Sequence, residues 1–213
     1  MRDRLLRGFV GLLGMLPFSW VGGLGAAVGR LLYRRHGREV LNAFCYTGAF
    51  SVYAAAAGSG PITFLEASAN ALTWARRHMC LNGLERAGDT YDNGDAFEVM
   101  RSYRDRARAF DLIVLDPPKF APTRRHVERA ARAYKDINLL AIKLLRPGGI
   151  LITFSCSGGI DAGLLQKIVF GASVDAGRDL QIVAPLSQGP DHPVLLSFPE
   201  SAYLKGLVCR VLD

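Results

Sequence analysis

None of the four cysteines stands in a C-x-x-C pair, so the chain offers no zinc or dithiol redox motif. No G-x-G-x-x-G fingerprint occurs, which leaves a pyrophosphate cradle without support. No internal repeat is present, which excludes a solenoid or propeller. Low-complexity tracts are missing after residue 40, and half of the residues are hydrophobic; together these exclude a disordered chain. Net charge is also scarce over most of the length. The total is +7, but residues 1–40 hold seven arginines (Arg2, Arg4, Arg7, Arg30, Arg34, Arg35, Arg38) against Asp3 and Glu39. The rest of the chain is nearly neutral, so overall basicity says little about nucleic acid.

What is present divides the 213 residues into two parts, an N-terminal segment over 1–38 and one domain over 39–213, long enough for a real core. Gly8 to Gly29 runs for 22 positions without a charge, bounded by Arg7 and by Arg30, Arg34 and Arg35. That length could span a bilayer. Seven glycines and Pro17 lower its helix propensity, and Gly25 and Gly29 form one G-x-x-x-G pair. Three readings stay open: a membrane or interfacial helix through residues 8–29, two short helices broken at Pro17, or a cleaved signal peptide.

From Glu39 onward, short apolar runs alternate with amphipathic stretches. Strands are predicted at Val40–Phe44, Ile62–Glu66, Thr90–Asn93, Phe110–Leu115, Ile150–Phe154, Leu180–Val183 and Leu204–Val211. Helices are predicted after the first strand through Ala57, then at Ala69–Asn82, Ala96–Arg106 and Leu164–Ala176. A long helix carries Val127, Ala130, Tyr134, Ile137, Ala141 and Leu144 on one stripe and stops at Pro147-Gly148-Gly149. The alternation implies a doubly wound α/β sheet of Rossmann type, mostly parallel, with the last two strands an antiparallel pair at its edge.

In such a sheet, ligands bind beyond the C-terminal ends of the strands, which selects five loops. The first runs from Asn42 to Phe50, where Gly48 either lets backbone approach a ligand or makes an ordinary turn. A cofactor without phosphates suits this loop. Glu66 sits at the second strand end, where a carboxylate can accept both ribose hydroxyls or can cap the next helix. Asp95 is equally a helix N-cap or an acceptor for an adenine amine. Asp116-Pro117-Pro118-Lys119-Phe120 combines a rigidly aimed acid with an aromatic able to stack on a base. Cys156, in Ser155-Cys156-Ser157-Gly158-Gly159, reads as exposed and mobile enough to react. Cys45 also lies at a strand end, whereas Cys80 and Cys209 fall in core patterns. Arg124, Arg125, His126, Arg129, Arg132 and Lys135 either contact phosphates beside the site or form a solvated face paired with Glu128 and Asp136. No metal site is expected.

The stretches VLNAFCYTGAFSV, NGDAFEVMRSYRDRARAFDLIVLDPPKFAP, ARAYKDINLLAIKLLRPGGILITFSCSG, DAGRD, DHPV and PESAYLKGLVCRV cover nearly all of residues 39–213. They resemble the bacterial 23S rRNA large-subunit methyltransferase I family, which makes 5-methylcytosine. The resemblance implies a class I methyltransferase sheet, S-adenosylmethionine as cofactor, 23S ribosomal RNA as partner and a cytoplasmic location. It implies that Phe44, Tyr46, Thr47, Gly48, Phe50, Glu66, Asp95 and Asp116 hold the cofactor. Pro117, Pro118, Lys119, Phe120, Arg132 and Lys135 would meet substrate. Cys156 would be the nucleophile, and Asp116 would orient the cytosine. Ionisation of the thiol calls for a positive neighbour, with Lys119 and Lys135 the expected ones. An exocyclic-amine N-methyltransferase and a non-catalytic cofactor-binding fragment are the alternatives. The family carries RNA-binding and further domains ahead of its catalytic part. Here the hydrophobic segment takes that place, and it is similar in composition to the N-terminal anchor of bacterial lipid A acyltransferases; a fused reading frame would account for it.

Overall fold

The computed structural model describes residues 38–120, 127–189 and 192–212. Residues 8–29, with their membrane reading, lie outside the described residues. Among the described residues no helix is long and apolar enough to cross a membrane.

Seven strands form one sheet in the order β3-β2-β1-β4-β5-β7-β6. They are β1 (Val40–Ala43), β2 (Ile62–Glu66), β3 (Thr90–Asn93), β4 (Phe110–Leu115), β5 (Leu145–Ser155), β6 (Leu180–Ser187) and β7 (Lys205–Val211). The helices between them are α1 (Ala49–Ala56), α2 (Ala69–Leu81), α3 (Ala96–Asp105), α4 (Val127–Leu144) and α5 (Ala162–Ala176). The first five strands pair in parallel, and β7 runs antiparallel between β5 and β6.

Strand periodicity explains the two helical layers. Leu41, Leu65, Ile113, Leu115 and Leu151 face one way and pack with Met100 of α3, Tyr134 and Ile137 of α4, and Leu165 and Val169 of α5. Val40, Phe64, Leu112, Val114, Ile152 and Phe154 face the other way, against Val52 of α1 and Ala75 and Met79 of α2. The α4 stripe is buried at Ala130, Tyr134, Ile137, Ala141 and Leu144.

Several sequence expectations are corrected. The fifth strand begins at Leu145, not Ile150, so Pro147-Gly148-Gly149 lies inside it. Gly148 takes φ +70° and Gly149 passes within a Cβ's reach of the Arg146 carbonyl, so the chain bulges against Phe110–Leu112 without leaving the sheet. Phe44 falls outside β1 because its φ is +58°. The late strand from Leu180 continues to Ser187 and is the outer member of the expected antiparallel edge pair.

Asp111 is the one charge in the buried fourth strand. It accepts from the Glu39 backbone at 2.9 Å and from Arg146 at 2.9 Å, while Arg146 also reaches Glu39 at 2.9 Å. This network clamps the chain where it enters the sheet, at the end opposite the candidate site. The arginine of DAGRD is likewise structural. Arg178 donates to the Ile142 carbonyl at 3.2 Å and to that of Leu145, satisfying orphan carbonyls where α4 passes into β5.

Candidate active site

The loop after β1 is held in an unusual backbone course. Phe44, Tyr46 and Gly48 have φ of +58°, +47° and +84°, two of them non-glycine residues in the left-handed region. Such strain persists only when neighbours over-determine it. Here Glu66 accepts from Tyr46 N at 2.9 Å and from Ser68 N at 3.0 Å, and His78 Nδ1 lies 2.9 Å from the Thr47 carbonyl oxygen. Glu66 therefore ties the β1 and β2 loops together and keeps lone pairs free for a ligand. A Cβ on Gly48 would lie 3.0 Å from Ala75 Cβ and 3.1 Å from a Phe64 ring carbon, so the glycine lets α2 pack close to this loop. Phe50 turns inward and stacks on Phe154 at 5.8 Å.

Asp95 is the N-cap of α3, accepting from Phe97 N and Glu98 N at 2.9 and 3.1 Å through one oxygen. Phe120 joins an aromatic group with Phe44, Phe97 and Tyr134, at centroid separations of 6.4, 5.9 and 4.8 Å. It is half-buried, so it braces the Asp116 loop against the cofactor side instead of standing free. Pro117 is buried; Pro118 and Lys119 are exposed.

Asp116 retains some accessible surface. Desolvation pushes its carboxyl from 3.8 up to about 6.

Cys156 follows β5 directly. The loop is braced by hydrogen bonds on both sides. Ser157 N donates to Ser155 Oγ at 3.3 Å, Ser157 Oγ lies 3.1 Å from the Tyr134 hydroxyl, and Ile160 N donates to the Ser157 carbonyl at 3.0 Å. Both serines are fully buried while Cys156 between them is half-buried, as the two-residue period requires. Burial and the Asp116 charge raise the Cys156 thiol above 9.0, against the opposing pull of Lys119 and Lys205. The expected net lowering is therefore not found. Lys135 is not a neighbour either: its ammonium pairs with Asp175 of α5 at 2.8 Å. Lys205, at the start of β7, was missed; its motif contained it, but only the antiparallel register sets it opposite Ser155.

The other thiols sort differently from their sequence positions. Cys45 is buried and pushed up to about 12, mainly by desolvation; Cys209 is buried and pushed to about 11. Cys80 is exposed, contrary to its core pattern, because its helical neighbour Met79 takes the inward position. Arg129 and Arg132 are exposed on α4, and Asp136 pairs with Arg101 of α3 at 2.6 Å, not with the arginine series. Arg124, Arg125 and His126 lie outside the described residues. Among the described residues no group of three or more His, Cys, Asp or Glu side chains could hold a metal.

The strand ends thus present Glu66, Asp95 and Asp116 in sequence across β2, β3 and β4, with half-exposed Phe44 and Phe97 between. A family model described as S-adenosylmethionine-dependent methyltransferase matches residues 25–210. The chain belongs to this family. The donor set fits the methyltransferase cofactor: carboxylates for ribose hydroxyls and an adenine amine, aromatic faces for the base, and an acidic surround for a sulfonium. The ribosomal RNA large subunit methyltransferase I of Shewanella amazonensis is 54% identical over 175 residues, covering 82% of this methyltransferase chain and 44% of that protein. The chain spans less than half the length of that relative. Among solved structures, SMU.776, a methyltransferase complexed with SAH, superposes with a TM-score of 0.75 at 23% identity, over 87% of this chain and 48% of that one. The S-adenosylmethionine-dependent methyltransferase of Agrobacterium tumefaciens superposes with a TM-score of 0.69 at 22% identity, over 91% and 62%. Both share the methyltransferase fold.

Proposed function

We propose that residues 39–213 form a catalytic domain that methylates C5 of a cytosine in 23S ribosomal RNA, with Cys156 as nucleophile. The observation that carries this reading is the convergence of Cys156 and Asp116. They end adjacent parallel strands, paired at Leu115 and Thr153, and the Asp116 charge acts directly on the thiol. The ribosomal RNA named for the Shewanella relative supplies the substrate class. A cytoplasmic location follows from such a substrate, and residues 8–29 would add membrane contact, which cell fractionation tests.

C5 of cytosine is a poor nucleophile. A thiolate adding to C6 breaks the C5–C6 double bond and turns C5 into an enamine-like carbon, dividing one hard step into easier ones. S-adenosylmethionine supplies an electrophilic methyl group when bound. After C5 takes that methyl, loss of the C5 proton restores the double bond and expels the thiolate. Asp116, protonated up to about pH 6, can donate to N3 or, ionised, accept from the N4 amine. Glu66 and Asp95 would hold the ribose and adenine, with Phe44, Tyr46, Thr47, Gly48 and Phe50 building the wall of that site. Pro117, Pro118, Lys119, Phe120 and Arg132 would meet the RNA, which must extrude its base to reach this depth.

The test is a covalent trap. Ribosomal RNA containing 5-fluorocytosine has no C5 proton to lose, so the wild-type chain should form a stable protein–RNA adduct and Cys156→Ala none. An adduct with Cys156→Ala would remove the nucleophile assignment. Full methylation by Cys156→Ser would point instead to an exocyclic amine as acceptor. Cofactor binding in calorimetry with no methylation of any ribosomal RNA would leave a non-catalytic fragment.

A further inference from the structure

The lysine of PESAYLKGLVCRV takes no part in the mechanism above. Lys205 opens β7, paired with Ser155 of β5 on one side and Ser187 of β6 on the other. Its side chain is half-buried and tethered: Nζ donates to the Ser157 carbonyl at 3.0 Å and to the Tyr203 carbonyl at 2.7 Å. Lysine ordinarily pays a large rotamer entropy to stay in one place. Here two carbonyls fix the ammonium one residue from Cys156, on the side opposite the Asp116 loop.

The charged and titratable groups around the thiol and the ammonium come from four elements. Asp116 and Lys119 follow β4, Tyr134 lies on α4, Cys156 follows β5, and Asp161 caps α5. Asp116 opposes ionisation of the thiol, while Lys119 and Lys205 favour it. Lys119 is exposed, so water and salt screen its charge; Lys205 is half-buried and held in place, and burial pulls its own ammonium below the ordinary lysine value.

The geometry points to Lys205 as the positioning residue of the thiol: it anchors the Ser157 carbonyl, and with it the Cys156 backbone, and its fixed positive charge offsets Asp116 when the thiol ionises. This rests on the reading of Cys156 as nucleophile. The tetherings also explain why the lysine sits at the first position of β7. One residue later the side chain would point to the opposite face of the sheet.

The experiment measures alkylation of Cys156 by iodoacetamide as a function of pH in the full chain, following its peptide by mass spectrometry so that exposed Cys80 does not interfere. Lys205→Met should move the midpoint up by about one pH unit, roughly a tenfold loss of thiolate at neutral pH. Lys205→Arg should keep most of the wild-type profile. Lys205→Gln, which removes the charge with a shorter polar chain, covers the case in which the methionine variant does not fold. A folded Lys205→Met or Lys205→Gln chain whose profile superimposes on the wild type overturns the proposal. The fluorocytosine adduct keeps the two ideas apart: no adduct from the wild type sinks the nucleophile, whereas an adduct with an unmoved alkylation midpoint sinks Lys205 alone.

Discussion

The hydroxyl of Tyr134 lies 3.1 Å from Oγ of Ser157, wholly inside the protein and beneath the loop that carries Cys156. The same hydroxyl interacts with the Ser155 side chain and the Phe120 backbone. One phenol on α4 thus pins the Cys156 loop and the Asp116 loop to a common point. Tyr134→Phe removes that pin without opening a cavity. It should cost about 1 kcal/mol of stability. Methyl transfer should fall further, about tenfold, at unchanged cofactor affinity. Thermal melts, calorimetry and single-turnover methylation separate the three quantities.

Asp116 makes stability depend on pH with a definite sign. Its carboxyl is raised from 3.8 to about 6 by desolvation, so the folded protein holds this proton more tightly than the unfolded chain does. The folded state therefore suffers no penalty below the ordinary value and loses stability as pH rises through about 6. Asp116→Asn should be more stable than wild type at pH 8 by about 1–2 kcal/mol, once the solvent-facing side of the group is allowed for. At about pH 3 the two should melt together. A variant that is less stable at high pH would show that Asp116 has a buried partner.

Asp95 has two tasks that substitution can separate. Asp95→Ala removes both backbone bonds and should lower stability by about 1 kcal/mol. Asp95→Ser keeps a cap and should melt near the wild type, yet bind S-adenosylmethionine about tenfold more weakly if the second carboxylate oxygen accepts from the adenine, a loss of roughly 1.4 kcal/mol. Calorimetric titration of both variants reads the difference.

Gly48→Ala should destabilise by about 1–3 kcal/mol, because the left-handed φ and the 3.0 Å approach to Ala75 Cβ both oppose a methyl group. The melting temperature should fall before any effect on cofactor affinity is seen at low temperature. A variant with wild-type stability but lost binding would assign Gly48 to ligand approach and not to helix packing.

Much of the fold was legible because its physical causes are local. Phe110–Leu115 is apolar because it is buried on both faces, and the 3-4-3-4-3 stripe from Val127 to Leu144 fits one side of a helix. The alternation also put Glu66, Asp95, Asp116 and Cys156 in loops that follow strands, at the end of the sheet where ligands bind. Less was legible where one residue type serves two purposes. Gly48 suits a ligand or a close helix; Cys80 and Met79 sit side by side in one helix, and only packing decides which turns inward.

The amino-acid order by itself determined the alternating architecture, the acidic and aromatic residues at the strand ends and the acid and thiol that follow the fourth and fifth strands, since periodicity and turn chemistry act over a few residues. Tertiary structure alone decided the surroundings of that thiol. Inserting β7 between β5 and β6 brings Lys205 from 49 positions downstream to the Cys156 loop. The salt bridge to Asp175 takes Lys135 away, and burial raises the thiol that sequence chemistry expected to be lowered. Long-range register and desolvation depend on the whole packed assembly, and no short window of residues encodes them.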